Sequence, residues 1–386
     1  MILIALCIVV ILALELTSLL YRKRWNHHLF VSVKFEQEEI EEGNCVRIIE
    51  TAENQKLLPI PALTLKFQLD KKLDFLEKEN TARSDQQYRN DCITVMSYQR
   101  TVRIFTVTGT RRGYYRINQV NLVAVDLLYR SLMYEDRENH SSVYVYPGHC
   151  KVVGLEHICN QIYGTFLRNS MLYEDPFEFR GIRDYTSHDP VKKMNWKASA
   201  KTGSLMVNQY YDTFSQNITL FLNVKTQRIL DQEDLTEESI RIVRDCLEEF
   251  MEKEIPLQVY TNGVDVVSGE VVQIEPGLSG EHMDVCLRQL ARIRTGDDLP
   301  DLVPIMEAHR QEHTKTGVSV LISHNQSETL VKQFADHVGD TGSGVWIVPI
   351  HSSMVRYLEE NGVKEHLKSM AGNRIEIHYL VMEQID

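Results

Sequence analysis

The chain lacks paired cysteines, an excess of positive charge and the composition of a disordered or fibrous protein. Its seven cysteines are scattered over 386 residues, and no two of them form a Cys-x-x-Cys pattern. This argues against a disulfide scaffold and a thiolate zinc site, and it favours a reducing compartment. The net charge of −12 disfavours nucleic acid as a partner, because phosphate binding needs a basic face. Hydrophobic residues make up 43% of the chain, an ordinary globular balance, and the length is enough for two or three domains.

The first 21 residues are almost entirely apolar. Glu15 interrupts the run, and Arg22–Arg24 and Trp25 follow it. A helix of twenty residues reaches about 30 Å, the thickness of a hydrocarbon core. A cleaved signal peptide would need a basic start and a small-x-small cleavage site, and neither is present. Because positive charge stays on the cytoplasmic side, the sequence predicts a single-pass membrane helix over residues 1–21 with the body in the cytoplasm. The alternative is a buried helix of a water-soluble protein.

Residues 30–150 alternate apolar and polar side chains with a period of two, which is typical of β-strands. The clearest run is 63–69, and residues 100–125 predict two strands around a glycine-containing turn. Several short strands at this spacing predict a β-sandwich of immunoglobulin type. The polar stretch 78–91 is expected to form an exposed loop.

Strands and helices alternate from residue 215 onwards. Strands are predicted at 217–224, 256–263, 317–324, 344–350 and 374–382, with an edge hairpin at 264–274. Amphipathic helices are predicted at 235–253, capped by Thr236, and at 282–293 and 327–338. This alternation predicts a parallel, doubly wound α/β sheet of Rossmann-like type. Ligands on such sheets bind at the carboxyl ends of strands, just after Leu222, Tyr260, Ser323 and Pro349.

The segment 177–212 is rich in basic and aromatic side chains. The basic residues are Arg180, Arg183, Lys192, Lys193, Lys197 and Lys201. On an acidic protein, such a patch is suited to bind an acidic partner or lipid head groups. A connector that packs one domain on the other also explains the composition, and the residues alone leave both interpretations open.

The same segment resembles the signature of the bacterial domain-of-unknown-function 58 family. The matching residues are Ile182–Tyr185, Asp189, Pro190, Lys193, Met194, Trp196–Lys201 and Leu205–Val207. His188 replaces a usual glycine, and Lys193 and Lys201 replace arginines, which keeps the charge but loses bidentate geometry. Upstream, residues 111–126 are similar to the preceding β-domain of the family, whose usual Asp-Pro-Phe-Gly becomes Asp126-Leu127-Leu128-Tyr129. The resemblance covers most of residues 20–386.

The resemblance implies a multi-domain chain. Its parts would be a membrane helix at 1–21, an immunoglobulin-like β-sandwich at 30–150, a connector with the signature at 151–214 and a von Willebrand factor A-like α/β domain at 215–386. Many members have two membrane helices, so the start of this chain is expected to be short.

The resemblance also implies a function. The chain would be a non-enzymatic, membrane-anchored adaptor without a cofactor, working with a MoxR-type AAA ATPase. The residues carried over from the signature are Arg183, Tyr185, Asp189, Trp196, Lys197, Ser199 and Lys201. They are expected either to contact a partner or to fix the domain junction.

The metal site of von Willebrand A-type domains uses Asp-x-Ser-x-Ser after the first strand to hold magnesium. The equivalent positions here are Asn223, Lys225 and Gln227. The carboxylate is lost, and the lysine ammonium can occupy the place of the cation. We therefore expect no metal at these positions.

A rival function is a metal-dependent hydrolase. His309, Glu312 and His313 match the His-x-x-Glu-His pattern of inverted zinc peptidases. Two histidines four residues apart share one helical face, so zinc ligation is geometrically possible. The polar sequence around them is instead typical of a solvated helix end, and we expect the motif to lie on the surface.

Overall fold

A computed structural model describes residues 2–77, 81–83, 86–172, 174–186, 189–212, 217–226, 233–312, 317–360, 363–372 and 374–382. Within these ranges, the side chains of residues 2–5, 7, 13, 81–83, 169–172, 174–180, 210–212, 312, 340 and 341 lie outside the description. The chain divides into two compact units. The sandwich unit comprises Met1–Gly148 with Leu290–Arg292, and the α/β unit comprises His149–Gln289 with Ile293–Asp386.

The sandwich unit starts with one helix and continues with strands. Its elements are α1 (Ile2–Arg24), β1 (Leu29–Phe35), β2 (Glu39–Glu41), β3 (Cys45–Asn54), β4 (Ile60–Asp70), β5 (Leu73–Phe75), β6 (Thr81–Arg83), β7 (Gln86–Val95), β8 (Arg100–Gly109), β9 (Gly113–Val125) and β10 (Leu132–Tyr146).

These strands form two sheets, in the orders β1-β3-β8-β5 and β2-β10-β9-β4-β7-β6. The pairs are antiparallel, apart from β2 with β10. Inward apolar side chains of both sheets build one core, which includes Val33, Ile48, Leu63, Leu65, Ile117 and Val143. Burial of these alternating side chains holds the two layers together, so the predicted β-sandwich is confirmed.

The prediction of an exposed loop at 78–91 is wrong for the part that the structure describes. β7 runs through its second half, and Gln87, Arg89 and Asp91 are buried. The Arg89 Nε donates to the Asp91 carboxylate at 2.6 Å, and its guanidinium lies 3.6 Å from the centre of the Phe105 ring. Because paired polar side chains occupy the inward positions of this strand, hydropathy alone did not reveal its period of two.

Helix α1 packs onto the sandwich by its carboxyl-terminal part. Tyr21 and Trp25 are buried in the sandwich core, and the Tyr21 hydroxyl donates to the Pro59 carbonyl at 2.8 Å. Apolar side chains nearer the amino terminus are exposed, among them Leu6, Val9, Ile11, Leu12, Leu16 and Leu19. By length and hydropathy, no helix in the described part of the chain qualifies as a membrane span.

The α/β unit begins with helix α2. Its elements are α2 (Leu155–Leu172), β11 (Glu174–Asp184), a 3₁₀ turn (Val191–Lys193), α3 (Trp196–Thr202), β12 (Met206–Asp212), β13 (Ile218–Leu222), α4 (Glu233–Glu252), β14 (Leu257–Asp265), β15 (Val271–Ile274), α5 (Gly280–Arg292), β16 (Ile293–Arg294), α6 (Leu302–Glu312), β17 (Val318–Ile322), α7 (Glu328–Thr341), β18 (Ser343–His351), α8 (Ser352–Glu360), α9 (Val363–Ala371) and β19 (Ile375–Met382).

The main sheet of this unit has the order β15-β14-β13-β17-β18-β19. The pairs from β14 to β19 are parallel, and β15 is an antiparallel edge. The predicted edge hairpin at 264–274 is thus present as β14–β15. The carboxyl ends of β14, β13 and β17 lie side by side, which brings together the residues that follow them.

Two local predictions differ from the structure. Helix α4 starts at Glu233, so Thr236 is a buried residue inside the helix and does not cap it. Helices α2, α8 and α9 were not expected from the sequence pattern, and of α6 only the helix end around His309 was. Residues 151–214 contain regular structure of their own, and by contacts they group with the α/β unit.

The sandwich core encloses an acidic side chain. Glu50 is 1% exposed, and its carboxylate has no hydrogen-bond partner among the described residues. Burial, followed by repulsion from Asp91, raises the pKa of Glu50 to about 7, against the opposing pull of Arg103 and Arg89. The ionised form therefore costs folding free energy at neutral pH.

Replacing Glu50 by Gln tests this cost. The folded state keeps the proton between the ordinary pKa of 4.5 and a pKa of about 7, whereas the unfolded chain has released it. The stability of the natural protein should therefore fall with rising pH across this window, relative to Glu50→Gln. Between about pH 4 and about pH 8, the free energy of unfolding of the natural protein should fall by about 3 kcal/mol relative to that of Glu50→Gln. Denaturant titrations at several pH values measure it. The exposed Glu38→Gln is the control, and parallel pH profiles for Glu50→Gln and the natural protein would contradict the account.

Candidate functional site

The signature residues lie on a hairpin and a short helix of the α/β unit. β11 and β12 pair antiparallel, with Arg183 opposite Val207 and Asp184 opposite Met206. The 3₁₀ turn and α3 form the connection between the two strands. Their exposed side chains Val191, Lys192, Trp196, Lys197 and Lys201 are called the signature surface below.

Asp189 fixes the start of this connection. Its carboxylate accepts two hydrogen bonds from the Arg183 guanidinium, at 2.6 and 2.5 Å. It also accepts bonds from the backbone N–H and the hydroxyl of Thr186, both at 2.8 Å. The Arg183 hydrogen bonds are the main reason that the pKa of Asp189 lies well below its usual range. Charge-assisted bidentate pairs of this kind are among the stronger polar contacts in proteins.

Asn195 and Ser199 fix α3. The Asn195 side chain accepts from the Ala198 N–H at 2.8 Å, a regular N-cap. The Ser199 hydroxyl donates to the Asn195 carbonyl and accepts from the Met206 N–H, each at 2.8 Å, which ties the helix to β12. The helix ends at Gly203, whose φ of +76° suits a residue without a side chain.

The signature residues therefore divide into two groups. Arg183, Asp189 and Ser199 use their side chains to hold the backbone. Tyr185 is half-buried, and its N–H donates to the Leu205 carbonyl at 2.9 Å. Trp196, Lys197 and Lys201 point outward, and none of the residues of α3 is buried. His188 lies outside the described residues.

The degenerate metal positions form a polar network at the ends of β13, β14 and β17. The Asn223 Oδ1 accepts from Asn262 Nδ2 at 2.9 Å and from the Lys225 N–H at 3.2 Å. The Asn223 Nδ2 donates to the Ser323 hydroxyl at 3.1 Å. The Lys225 ammonium lies 2.8 Å from the Asp301 carboxylate. An amide at Asn223 and an ammonium at Lys225 thus stand where the metal site of von Willebrand A-type domains has a carboxylate and a hydroxyl, and Gln227 lies outside the described residues.

Sequence reasoning missed Asn262 and Asp301 in this network. Asn262 lies near the end of the strand predicted at 256–263. Its position at the carboxyl end of that strand could therefore have been inferred from the sequence. Asp301 comes from a loop, and only the fold brings it to Lys225. Nearby, burial lowers the pKa of His324 to about 4, so this side chain is neutral at pH 7.

The expectation that the His309 motif lies on the surface is wrong for His309 itself. Its side chain is 5% exposed and packs edge-on against Phe221 and Tyr260, with ring centres 5.5 and 4.9 Å away. The apolar face of α6 turns this histidine towards the sheet, although the neighbouring sequence is polar. The side chain of Glu312 and all of His313 lie outside the described residues, so the proposed zinc ligand set is not seen together.

A separate cluster combines His149, Asp245 and Glu248. The His149 Nδ1 lies 2.8 Å from an Asp245 oxygen and 3.9 Å from a Glu248 oxygen. The Asp245 carboxylate also accepts from the Cys150 N–H at 2.9 Å. These donor types suit a divalent cation. His149 and Glu248 are exposed, however, and the His149 nitrogen is already hydrogen-bonded to Asp245. We therefore interpret the cluster as surface residues that are hydrogen-bonded to one another, and we assign no metal to it.

No protein-family model and no curated protein matches the chain. Solved structures with local similarity include the CARDB domain of a Pyrococcus furiosus protein, at 14% identity, covering 30% of this chain and 84% of that one, with a TM-score of 0.21. A non-cellulosomal cohesin from Archaeoglobus fulgidus is 9% identical, covering 34% of this chain and 96% of that one, with a TM-score of 0.21. The pilin SpaD from Corynebacterium diphtheriae is 11% identical, covering 30% and 35%, with a TM-score of 0.23. Scores this low carry no argument about function.

The division of the signature residues predicts different effects on stability. Asp189→Ala should cost about 1–3 kcal/mol locally, because it leaves the Arg183 guanidinium without its bidentate partner. Trp196→Ala should change stability by less than about 0.5 kcal/mol, because the indole is 64% exposed. Thermal melts and hydrogen exchange of the β11–β12 amides measure both effects. A destabilised Trp196→Ala protein, or an unchanged Asp189→Ala protein, would contradict this division.

Proposed function

We propose that the chain is a non-enzymatic, membrane-anchored adaptor of the domain-of-unknown-function 58 type, and that it presents the signature surface to a protein partner. In this proposal the α/β unit is a von Willebrand factor A-like domain. The observation that carries the proposal is that a network of polar bonds holds a helix whose aromatic and basic side chains are left exposed. A segment that served only to pack domains would place such side chains in a core.

The anchor is supported by the surroundings of α1. Its apolar side chains, such as Val9, Ile11 and Leu12, are exposed. Exposure of so many neighbouring apolar side chains to water is unfavourable, and contact with lipid would remove that cost. The only acidic residue within the run, Glu15, pairs with Arg130 at 2.6 Å, which lowers the cost of placing that carboxylate near lipid. Arg22–Arg24 follow on the side expected to face the cytoplasm.

The partner is proposed from charge and from the family resemblance. Lys192, Lys197 and Lys201 make the signature surface basic within a chain of net charge −12. It therefore suits an acidic surface, with Trp196 as the apolar anchor of the contact. The family resemblance names the class of partner, a MoxR-type AAA ATPase.

A pull-down from native membranes in mild detergent, with and without ATP, tests the proposal. Mass spectrometry should identify an AAA ATPase bound to the natural protein. Trp196→Ala should reduce its recovery about tenfold or more, because truncation of an aromatic anchor that is buried by the partner costs about 2 kcal/mol or more. Lys197→Glu should also reduce it by reversing one charge of the surface.

The matched control is Lys368→Glu, which reverses an exposed lysine on α9. Its recovery of the ATPase should equal that of the natural protein. If no ATPase is recovered in either nucleotide state, or if the control loses as much as Lys197→Glu, the adaptor proposal is wrong.

A further inference from the structure

A cavity of about 520 Å³ lies in the sandwich unit beside the carboxyl-terminal end of α1. The helix contributes Thr17, Leu20, Tyr21 and Arg24 to its lining. The other lining residues are His27, His28, Lys56, Leu57, Leu58, Pro59 and Leu127. We call it the Lys56 cavity. It combines an apolar wall with basic groups, and its lining contains no carboxylate.

The ammonium of Lys56 is the unusual group of this cavity. Its nitrogen is inaccessible to solvent and has no hydrogen-bond partner among the described residues. Burial, followed by the charge of Arg137, lowers the pKa of Lys56 to about 8, so the ammonium is still mostly charged at neutral pH. A buried cation without a partner costs folding free energy, and an anion placed beside it would recover that cost.

The walls of the cavity are held in place without a ligand. The Asn54 amide is fully buried and donates to the carbonyls of Leu58 and Met96, both at 2.9 Å. The Gln55 N–H also donates to the His28 carbonyl at 2.9 Å, which ties the segment before β4 to the turn after α1. The backbone around the cavity therefore needs little rearrangement to accept a ligand, and only the Lys56 side chain has to turn its ammonium towards it.

The lining of the cavity includes both exposed apolar and exposed basic side chains. Leu57 is 75% exposed, and Leu20 and Leu127 are also exposed. Arg24, His27 and His28 are exposed basic side chains that line the same cavity. A soluble anion such as phosphate would use the basic groups alone. A phospholipid would use both the basic and the apolar side chains, because its headgroup is anionic and its chains are apolar.

We propose that the Lys56 cavity binds the phosphate headgroup of an anionic phospholipid, with the first methylenes of its chains against Leu20, Leu57 and Leu127. The inference rests on the proposed anchoring of α1, which would place the cavity at the cytoplasmic face of the membrane. Anionic lipids are abundant in that leaflet. The lipid would pair the Lys56 ammonium and hold the sandwich unit against the membrane.

Calorimetric titration of the full-length protein in mild detergent tests this site. The probes are dihexanoyl phosphatidylglycerol, dihexanoyl phosphatidylcholine and inorganic phosphate. Phosphatidylglycerol should bind more tightly than the other two. Lys56→Gln should weaken its binding about tenfold, because a charge-assisted contact to the phosphate is lost. Arg24→Gln, an exposed change that leaves the fold intact, should weaken it as well.

The matched control is Lys66→Gln, an exposed lysine on β4 outside the cavity, which should bind as the natural protein does. Lys56→Gln should fold at least as stably as the natural protein, since it removes an unpaired buried charge. Equal affinities for the two lipids, or unchanged binding in both Lys56→Gln and Arg24→Gln, would overturn the inference. Inorganic phosphate binding as tightly as phosphatidylglycerol would also overturn it, in favour of a soluble anion.

Flotation with vesicles of pure phosphatidylcholine separates this inference from the anchor on which it rests. The natural protein and Lys56→Gln should both float, because α1 needs no anionic lipid. If both float but the titration fails, the cavity inference is wrong and the anchor stands. If neither floats, the anchor is wrong.

Discussion

The carboxylate of Asp189 determines the shape of the surface on which the proposed function depends. It accepts hydrogen bonds from the Arg183 guanidinium and from the backbone and hydroxyl of Thr186. Helix α3 buries none of its side chains, so hydrophobic packing does not fix its position. Polar contacts through Asp189 and Ser199 do so instead, and this leaves Trp196 and its neighbouring lysines available to a partner.

Two buried ionisable groups of the sandwich unit lower the free energy of unfolding. Their surroundings differ, and so do the roles that we infer for them. Glu50 is enclosed by the core near Asp91, so its effect is a dependence of folding on pH. Lys56 lines a cavity beside α1, so a ligand in the cavity can pair with the ammonium once the side chain turns towards it. Sites that give up stability are where function is expected, provided that a partner has access to them.

Hydrophobic periodicity predicted most of the architecture but not its polar details. The period of two predicted the β-sandwich, and the alternation of strands and helices predicted a parallel sheet. The order of its strands, β14-β13-β17-β18-β19, is known only from the structure. Hydrophobic periodicity failed at β7, where Arg89 and Asp91 pair inside the sandwich. It also failed at His309, which contacts the Phe221 ring although the sequence around it is polar. Such burial depends on partners distant in sequence.

The candidate site was predictable in composition but not in the roles of its residues. The density of basic and aromatic residues and the family signature both pointed to residues 177–212. The sequence could not show that Asp189 is structural and that Trp196 is exposed, because both roles depend on the path of the chain after β11. Lys56 carried no local signal, because its cavity is built by α1, the turn at His27 and His28, and the loop before β4.

The central claim is that Trp196 contacts a protein partner at the membrane. Site-specific photo-crosslinking tests it most directly, with benzoyl-phenylalanine placed at position 196 and, as a control, at the exposed Tyr134 of β10. In native membranes, the account predicts an adduct with an AAA ATPase from position 196 that is absent from position 134. Crosslinks from position 196 only to lipid or to the chain itself would contradict the account.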